Sequence, residues 1–524
     1  SNDSKSSGGD GKKLVYWAMW SKDEPQAKVI QDAIAKYTED TGVEVDVQFK
    51  GRSGQREGLQ PALDAKQTID LFDEDVNRVN GSWGKYLLDL EDVAKDYESE
   101  HGNETLFKIA RAAYEDGTLH SIPYQPSIFG FFYNKTLFDK AGIKEVPTTW
   151  DELDAACAKL KDAGITPITA DDAYMTTFIG YHLARYIGQD GVKSLVTGEE
   201  VNGQNVTWDD ERVLAAAQSF ADFAKKGYFS KNIATNVYPA GQNQEFAPGD
   251  AAIVICGSWL PNEAKASVAE DLEWGYFNYP SVPNGTDDNT ANNIANQVFA
   301  INKDSKMADE AFELITYITT GDYDKEMTTE ALCIPTDKAN SDAWPTELAE
   351  VKAGFDATTT YYDWAAGAES NNDLTGTLKT SALELAAGKL DAAGFISAMK
   401  KAAGSVRIDL AQYREMEVFT QFSSDLDETT KKQLNHGKAL MELLKQKLCK
   451  PYSLHEKVLI LHMANNGVFD DIPTDEVKSY CGEVLNYIDL KHPEISEEIE
   501  TKKDLSDELS KAILAAADEY KATK

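Results

Sequence analysis

The chain has 524 residues, of which 42% are hydrophobic and 27% charged; this is a globular composition, too long for one core, and predicts two or three domains. Its net charge of −36 argues against a nucleic-acid partner, because a phosphate-binding face needs clustered lysine and arginine, and it disfavours anionic ligands. No stretch of the sequence approaches the ~20 consecutive apolar residues of a membrane-spanning helix.

The first part of the chain predicts a tether followed by an α/β lobe. Residues 1–13 are rich in Ser, Gly, Asp and Lys, which is typical of a flexible segment. Apolar positions then follow a β-α-β order, which implies a parallel strand pair. Gly42 is expected to end the first helix, since glycine accepts a positive φ. The predicted elements are strand Leu14–Trp20, helix Glu24–Thr41, strand Val43–Phe49, helix Leu59–Lys66 and strand Thr68–Phe72.

The next segment predicts a hairpin, a buried strand and a capped helix. Asp116-Gly117 predicts a turn between short strands at Ala112–Tyr114 and Leu119–Ile122. The apolar and aromatic run Ile128–Tyr133 is typical of a buried strand. Thr149 is a candidate N-cap for the helix that follows, since its hydroxyl can accept a hydrogen bond from a backbone N–H.

A second α/β unit is predicted from residue 150 onward. Its elements are helix Asp151–Ala163, strand Ile165–Thr169, helices Thr176–Ile187 and Asp209–Lys226, strand regions in Phe246–Ile255, Leu272–Pro280 and Asn292–Asn302, helix Ala308–Thr319, and closing helices within Leu374–Met399.

Several of these segments resemble the extracellular solute-binding proteins of carbohydrate ABC importers. The pattern G-x-x-x-x-I-P-Y from Gly117, then GFFYNKTLFDKAGI and PTTWDEL, carries the resemblance, and Cys256–Glu263, Asn292–Asn302 and Ile334-Pro335-Thr336 extend it. The resemblance implies a two-lobed clamp in which an aromatic residue at a helix start faces the sugar. It also implies an extracellular, cell-surface protein, lipid-anchored before trimming, that works with the permease subunits of an ABC transporter.

Sugar binding needs flat aromatic rings that stack on a pyranose, and carboxylates or amides that bond to its hydroxyls. In open α/β sheets such groups lie beyond the carboxyl ends of the strands. Each tryptophan is equally explained by packing, and each polar candidate by turn formation or solvation. The candidate substrate-binding residues are Trp20, Asp73, Glu74, Tyr124, Gln125, Asp171, Asp172, Trp259, Asn293, Asn296, Gln297 and Trp364.

No catalytic residue, cofactor or metal is predicted. Asp73-x-Asp75-x-Asn77 is similar to the start of a calcium loop, but the sixth position is Arg78 rather than glycine and the twelfth is not glutamate. The five cysteines are scattered, odd in number and without a CxxC pair, which favours small buried apolar residues over a zinc site or a disulfide framework. They are Cys157, Cys256, Cys333, Cys449 and Cys481.

From Ser405 the pattern changes to successive helices. The strings SVRIDLAQYREMEVFTQFSSDLDETTKKQL, HGKALMELLKQ and NNGVFDDIP are similar to the C-terminal helical domain of the F-type ATP synthase alpha subunit. The sequence has no G-x-x-x-x-G-K-[ST] phosphate loop, so ATP hydrolysis is not expected. The two halves resemble proteins from opposite sides of a membrane, which favours a chimera over a natural two-domain protein. Apolar helix faces without their usual neighbours favour either docking on the first part of the chain or self-association.

Taken together, the sequence predicts an α/β fold, a two-lobed periplasmic-binding-protein type II clamp with a hinge, plus an all-α C-terminal helical bundle. The expected function is binding of a sugar or oligosaccharide by hinge closure, without catalysis, for an ABC importer. A secreted carbohydrate-active hydrolase and an ATP synthase alpha-related assembly component remain as alternatives. The expected domains are a tether at 1–13, lobe 1 at 14–123 and 278–333, lobe 2 at 124–277 and 334–404, and the helical domain at 405–524.

Overall fold

The computed structural model describes residues 13–404, 428–444, 452–502 and 505–524. The chain divides into two compact units, Ser1–Met399 and Lys400–Lys524. The first twelve residues of the expected tether, the string that begins at Ser405, and Cys449 lie outside the described residues. Across the described ranges, no helix is long and apolar enough to span a membrane.

The strands of the first unit share one sheet. The described residues form β1 (Leu14–Ala18), β2 (Val45–Phe49), β3 (Leu71–Asp75), β4 (Ile122–Asn134), β5 (Thr166–Thr169), β6 (Ala251–Gly257), β7 (Trp274–Phe277), β8 (Ala291–Ile301) and β9 (Thr360–Tyr362). Their order is β2-β1-β3-β8-β4-β6-β5, with β7 paired to β4 and β9 to β8. As the β-α-β pattern predicts, β1 pairs in parallel with β2.

Helices cover both halves of this sheet. They are α1 (Pro25–Thr41), α2 (Gly51–Asp64), α3 (Lys95–His101), α4 (Glu104–Ala113), α5 (Lys135–Lys140), α6 (Trp150–Asp162), α7 (Met175–Thr197), α8 (Glu211–Lys225), α9 (Ala240–Phe246), α10 (Leu260–Ala264), α11 (Ala308–Thr319), α12 (Gly321–Ala331), α13 (Ala349–Asp356), α14 (Asn372–Ala386) and α15 (residues 392–404).

Lobe 1 is built on β1–β3 with α1–α4, α11 and α12. Helix α1 begins at Pro25, whose fixed φ suits a first helical position, and ends at Gly42 with φ 73°, as predicted. Its buried face packs with β1 and β3 into one hydrophobic core. Helix α2 begins at Gly51, eight residues before the predicted start at Leu59. The prediction missed its first two turns because they carry almost no apolar residues.

The predicted hairpin around Asp116-Gly117 is wrong. Ala112 and Ala113 end α4 instead, which begins at an N-cap where Asn103 Oδ1 accepts a hydrogen bond from the Leu106 backbone N–H at 3.1 Å. Gly117 does occupy the left-handed region, with φ 78°, so the turn itself is present. The turn connects a helix, rather than a strand, to the segment before β4.

Two long strands connect the lobes. Ile122–Tyr124 of β4 pair with β8 in lobe 1, the register shifts before Ser127, and from Phe129 onward β4 pairs with β6. Strand β8 pairs with β9 at Ala291–Asn293 and with β3 from Gln297. The chain therefore returns to lobe 1 within β8, later than the expected residue 278, because the preceding strand β7 still pairs with β4.

Lobe 2 comprises the second half of β4, β5–β7, β9, α5–α10 and α13–α15. Thr149 caps α6 as predicted, since its Oγ1 accepts from the Glu152 backbone N–H at 3.1 Å. At the centre, Arg185 is fully buried. Its guanidinium donates to the carbonyl oxygens of Pro280 and Tyr279 at 3.1 and 2.8 Å and to Tyr362 Oη at 3.1 Å. An arginine thus satisfies three acceptors that would otherwise be buried without donors.

In the second unit the described residues form helices around a small core of their own. They are α16 (Glu428–Leu444), α17 (Leu454–Asn465), α18 (Val477–Lys491), α19 (Pro493–Lys502) and α20 (Asp507–Ala522). Ser453 and Glu456 form a reciprocal capping box at the start of α17. Leu459, Met463, Val484 and Ile513 are buried in the core of this unit.

Because a histidine of the second unit lies between two carboxylates, we predict that the stability of this unit depends on pH. His455 lies 2.8 Å from Glu500 and 3.4 Å from Asp489, on neighbouring helices. Burial opposes protonation, but the hydrogen bonds and charges of Glu500 and Asp489 outweigh it and raise the pKa of His455. The raised pKa stabilises the fold below about pH 6.5, and this contribution is lost as the pH rises through the raised value.

We therefore expect His455→Gln to weaken the second unit at pH 6 by about 0.5 kcal/mol, since the pair is partly solvated, and to change little at pH 8.5. Hydrogen exchange of peptides from α17–α19, corrected for intrinsic rates, measures the effect. Equal loss of protection at both pH values would show that the imidazole charge is not involved.

Candidate functional site

A cleft of about 900 Å³ lies between the two lobes. Lobe 1 contributes side chains at the end of β3, after it, and on α2 and α4. Lobe 2 contributes Tyr361–Trp364, which end β9 and continue just past it. Residues 293–295 of β8 form part of the lining. A hydrogen bond of 3.0 Å between Thr105 Oγ1 and Tyr361 Oη joins the two walls. The volume is within the range of pockets that enclose a small molecule.

Trp364 lines this cleft and belongs to a cluster of aromatic rings in lobe 2. The ring of Trp364 is 40% exposed and lies 6.5 Å from that of Trp259, with only 24° between their planes. Phe129 and Tyr174 contact both indoles. Trp259 Nε1 donates to Tyr174 Oη at 3.2 Å, which fixes the orientation of its ring. Such rings can stack on the apolar face of a sugar.

A left-handed turn holds Trp364. Ala365 and Ala366 have φ values of 54° and 53°, and Gly367 has φ 85°. For alanine this conformation costs roughly 1–2 kcal/mol per residue. The turn packs directly on Gly180 of α7, where a Cβ would overlap the carbonyl oxygen of Ala365. Backbone strain of this kind is often found at binding sites, because the surrounding structure must enforce it.

Trp259 depends on a second glycine. Its six-membered ring lies on Gly257 at the end of β6, so closely that a Cβ there would overlap three ring carbons. The G-S-W string thus has a physical reason, because the glycine makes room for the indole two residues later.

Three of the predicted residues form a buried network in lobe 1. Asp73 accepts hydrogen bonds from Tyr16 Oη at 2.8 Å, from the Met19 backbone N–H at 2.9 Å, and from Tyr124 Oη. Trp20 Nε1 donates to Tyr124 Oη at 2.7 Å. All three predicted side chains, Trp20, Asp73 and Tyr124, are almost fully buried, so their hydrogen bonds support the hinge end of β4 from within the core.

Asp73 also makes lobe 1 sensitive to pH. Burial raises the pKa of Asp73 to about 6, against the opposing hydrogen bonds. The folded protein therefore binds this proton more tightly than the unfolded chain, so the contribution of Asp73 to stability falls as the pH rises from about 4 to about 6, by about 3 kcal/mol in total. We expect the free energy of unfolding in urea to fall less between these two pH values in Asp73→Asn than in the wild type. Parallel profiles for the two proteins would contradict the assignment.

Glu74 is buried between two arginines. Its carboxylate accepts from Arg56 Nη2 at 2.9 Å and lies 2.7 Å from Arg78 Nε. Both guanidinium groups line the cleft, whereas Glu74 itself is only 1% exposed. The predicted acidic residue therefore lies behind the wall, and two cations lie in front of it.

At the hinge, Gln125 occupies the left-handed region with φ 50°, and its backbone N–H donates to Thr336 Oγ1 at 3.1 Å. The side-chain oxygens of Gln125, Asn296 and Gln297 are buried and, among the described residues, have no hydrogen-bond donor.

The third passage between the lobes lies after Asn340 rather than at residue 334, because the segment up to Asn340 bonds to α12 through Asp324. Three chain segments thus meet near Gln125.

Asp171 and Asp172 follow β5 in lobe 2. Asp171 is fully buried and accepts from the Gln242 backbone N–H at 2.6 Å, and burial raises its pKa to about 7. Asp172 accepts from the Tyr238 backbone N–H at 3.1 Å and lies 3.4 Å from Lys379 Nζ. Each of the two carboxylates thus has partners within lobe 2, and direct contact of either one with a ligand remains a prediction.

Of the residues proposed from the sequence, the structure brings Asn293 and Trp364 into the lining of the cleft. It adds Arg56, Arg78 and Lys108, which sequence reasoning missed. These cations lie on or beside helices whose pattern carries no motif, so only the tertiary arrangement groups them. Among the described residues, no cluster of His, Cys, Asp or Glu could hold a metal ion.

Comparison with known proteins matches both parts of the chain. The family of bacterial extracellular solute-binding proteins matches residues 21–325, and the C-terminal domain of ATP synthase alpha/beta chains matches residues 396–520. The alpha subunit of Aquifex aeolicus is 40% identical over 137 residues, which are 26% of this chain. Those residues are only 27% of the relative, so the chain spans about a quarter of its length.

Solved structures show the same fold for the first unit. A chitin oligosaccharide binding protein aligns with a TM-score of 0.57 at 22% identity, over 75% of this chain and 98% of that one. A probable secreted solute-binding lipoprotein from Streptomyces coelicolor aligns with a TM-score of 0.62 at 18% identity, with the same coverage. The two-lobed α/β fold with an added helical C-terminal part is thereby confirmed. The chain belongs to the bacterial extracellular solute-binding protein family.

Proposed function

We propose that the protein captures a carbohydrate in the cleft between its lobes and delivers it to the permease of an ABC importer. The observation that carries this proposal is the pairing of an aromatic cluster around Trp364 and Trp259 with a polar wall across the cleft. Sugars present an apolar face and a rim of hydroxyls, and the two walls offer a partner for each. The chitin oligosaccharide binding protein among the structural neighbours supports the same ligand class.

Binding is by hinge closure without covalent chemistry. Gln125 and the β8 segment near Asn296 lie where the chain passes between the lobes, and Thr336 of lobe 1 accepts a hydrogen bond from the Gln125 N–H there. A few residues at such points can absorb the rotation. Closure removes water from the ligand, so that each hydrogen bond gains strength in the less polar cleft. We place lobe 1 before residue 124 and between 297 and 340, and lobe 2 in the intervening and following chain.

The setting of this function is extracellular, at the cell surface, with a lipid anchor ahead of the tether. The permease of the importer recognises the closed form. The C-terminal helices take no part in catalysis, since the sequence lacks a phosphate loop, and they provide a surface for self-association. A single mass equal to that of the monomer in light scattering at high concentration would rule out self-association.

Tryptophan fluorescence tests the proposal selectively, because all nine tryptophans precede residue 400. We expect at least one oligosaccharide from a panel of chitin, xylan, pectin and starch fragments to change the emission and raise the melting temperature. The oligosaccharide should be recovered intact, without new reducing ends. Release of reducing ends would favour a hydrolase, and no response to any sugar would overturn the proposal.

A further inference from the structure

We infer that Glu263 is a positioning residue of the ligand site, one that fixes the orientation of the Trp259 indole; the inference rests on the proposed carbohydrate binding. It acts through Tyr238 and Tyr174, which join the carboxylate to the indole by hydrogen bonds and a ring contact. The described residues that line the cleft do not include Glu263. Its influence on a bound sugar therefore passes through the side chains that it supports.

The connection begins at the indole. Trp259 Nε1 donates to Tyr174 Oη at 3.2 Å. The ring of Tyr238 meets the ring of Tyr174 edge to face, with their centroids 5.0 Å apart and 72° between their planes, and such pairs are favourable beyond the area that they bury. The Tyr238 hydroxyl in turn donates to the carboxylate of Glu263. A displacement of Glu263 is thus transmitted to Trp259 through two tyrosines.

The backbone closes this connection into a circuit. Glu263 lies on α10, which begins directly after Trp259. The Glu263 backbone N–H donates to the carbonyl oxygen of Trp259 at 3.1 Å, so both residues belong to the same helical turn. The indole and the carboxylate that supports it are therefore anchored at one place in the chain, and the side-chain contacts between them have no free end.

The carboxylate of Glu263 has the surroundings of a fixed support. Its Oε1 accepts from Asn243 Nδ2 at 3.2 Å, while its Oε2 accepts from Tyr238. Burial, and then the hydrogen bond to Glu263, raise the pKa of Tyr238, so its hydroxyl keeps the proton that it donates. Asp172 accepts from the Tyr238 backbone N–H at 3.1 Å, which ties this loop to the turn that carries Tyr174.

A double-mutant cycle tests the inference, with chitotriose, xylotriose, trigalacturonic acid and maltotriose as the probes. For a probe that binds the wild type, calorimetry should show affinity reduced about fivefold by Glu263→Ala. Glu263→Gln, which keeps an acceptor for Tyr238, should restore most of this loss. In a Trp259→Phe background the same Glu263→Ala change should have less than about a twofold effect, because the ring that Glu263 positions is gone.

Glu350→Ala is the matched control. Glu350 is a half-buried glutamate of lobe 2 that accepts from the Tyr276 backbone N–H at 2.9 Å, and the described residues that line the cleft do not include it. Its loss should reduce stability and leave affinity unchanged. If Glu350→Ala weakened binding as much as Glu263→Ala, or if Glu263→Ala had the same effect with and without Trp259, the inference would be overturned and the proposed function would stand. Binding of none of the four sugars would overturn both.

Tryptophan emission provides a second measurement, which needs no sugar. Glu263→Ala should shift the emission of the protein to longer wavelength, because the released indole becomes more exposed to water. The shift should be absent when Glu263→Ala is made in the Trp259→Phe background. No shift, or the same shift in both backgrounds, would show that Glu263 does not hold the Trp259 ring.

Discussion

Gly257→Ala is expected to abolish most of the oligosaccharide affinity, by tenfold or more, while the protein still folds. The added methyl group would overlap the ring of Trp259, so the indole must leave its place beside Tyr174 and Trp364. Overpacking of this kind costs about 1–3 kcal/mol of stability. We expect the variant to be altered more in affinity than in stability, because the displaced indole belongs to the aromatic cluster that we propose stacks on the ligand.

A second glycine provides the control for this variant. Gly275 of β7 also lies beneath an aromatic ring, that of Tyr133, but it does not line the cleft. Gly275→Ala should therefore reduce stability by a similar amount and leave ligand affinity unchanged. Titration by fluorescence and unfolding in urea measure the two effects separately. If both variants lost affinity equally, the role of the Trp259 ring would be only structural.

Arg185→Met is expected to produce the largest loss of stability, about 3 kcal/mol or more. Methionine can fill much of the volume but offers no donor to the carbonyl oxygens of Pro280 and Tyr279 or to Tyr362 Oη. Each buried acceptor left unpaired costs about 1–3 kcal/mol. Arg185 also lies within 6 Å of three tyrosine rings, and these cation–π contacts would be lost.

Urea unfolding followed by tryptophan fluorescence measures this loss, because it reports only on the first unit. Arg212→Met serves as the matched control, since Arg212 lies near the surface, paired with Asp210 at 2.9 Å, and should change stability by no more than about 0.5 kcal/mol. A change below 1 kcal/mol for Arg185→Met would contradict the account of the lobe 2 core.

The sequence predicted those elements well whose boundaries are determined by residues close together in the chain. The apolar β-α-β order around β1 and β2, Gly42 after α1 and the Thr149 cap all act within a few residues, so their signals are visible in the chain. The hairpin before β4 failed because Asn103 starts a helix whose apolar face continues to Ala113. A turn signal such as Asp116-Gly117 gives the position of a turn but not the type of element that enters it.

The site was less predictable because distant partners decide which polar groups face the cleft. Asp73 follows the strand-end rule, yet Tyr16 and Tyr124 enclose it in the core. Arg56 and Arg78 line the cleft and both contact Glu74, which comes from a different part of the chain than Arg56 and is buried behind them. Trp364 could be named from its residue type, but the left-handed turn that presents it is not visible in the sequence.

The central claim is that the two lobes close on a carbohydrate. The distance between spin labels on Glu57→Cys in lobe 1 and Lys265→Cys in lobe 2 tests it most directly, in a chain with Cys449→Ser. The remaining cysteines, Cys157, Cys256, Cys333 and Cys481, are buried and should not react. We predict a single shift to shorter distances when a bound oligosaccharide is added. Binding with an unchanged distance distribution would contradict the account.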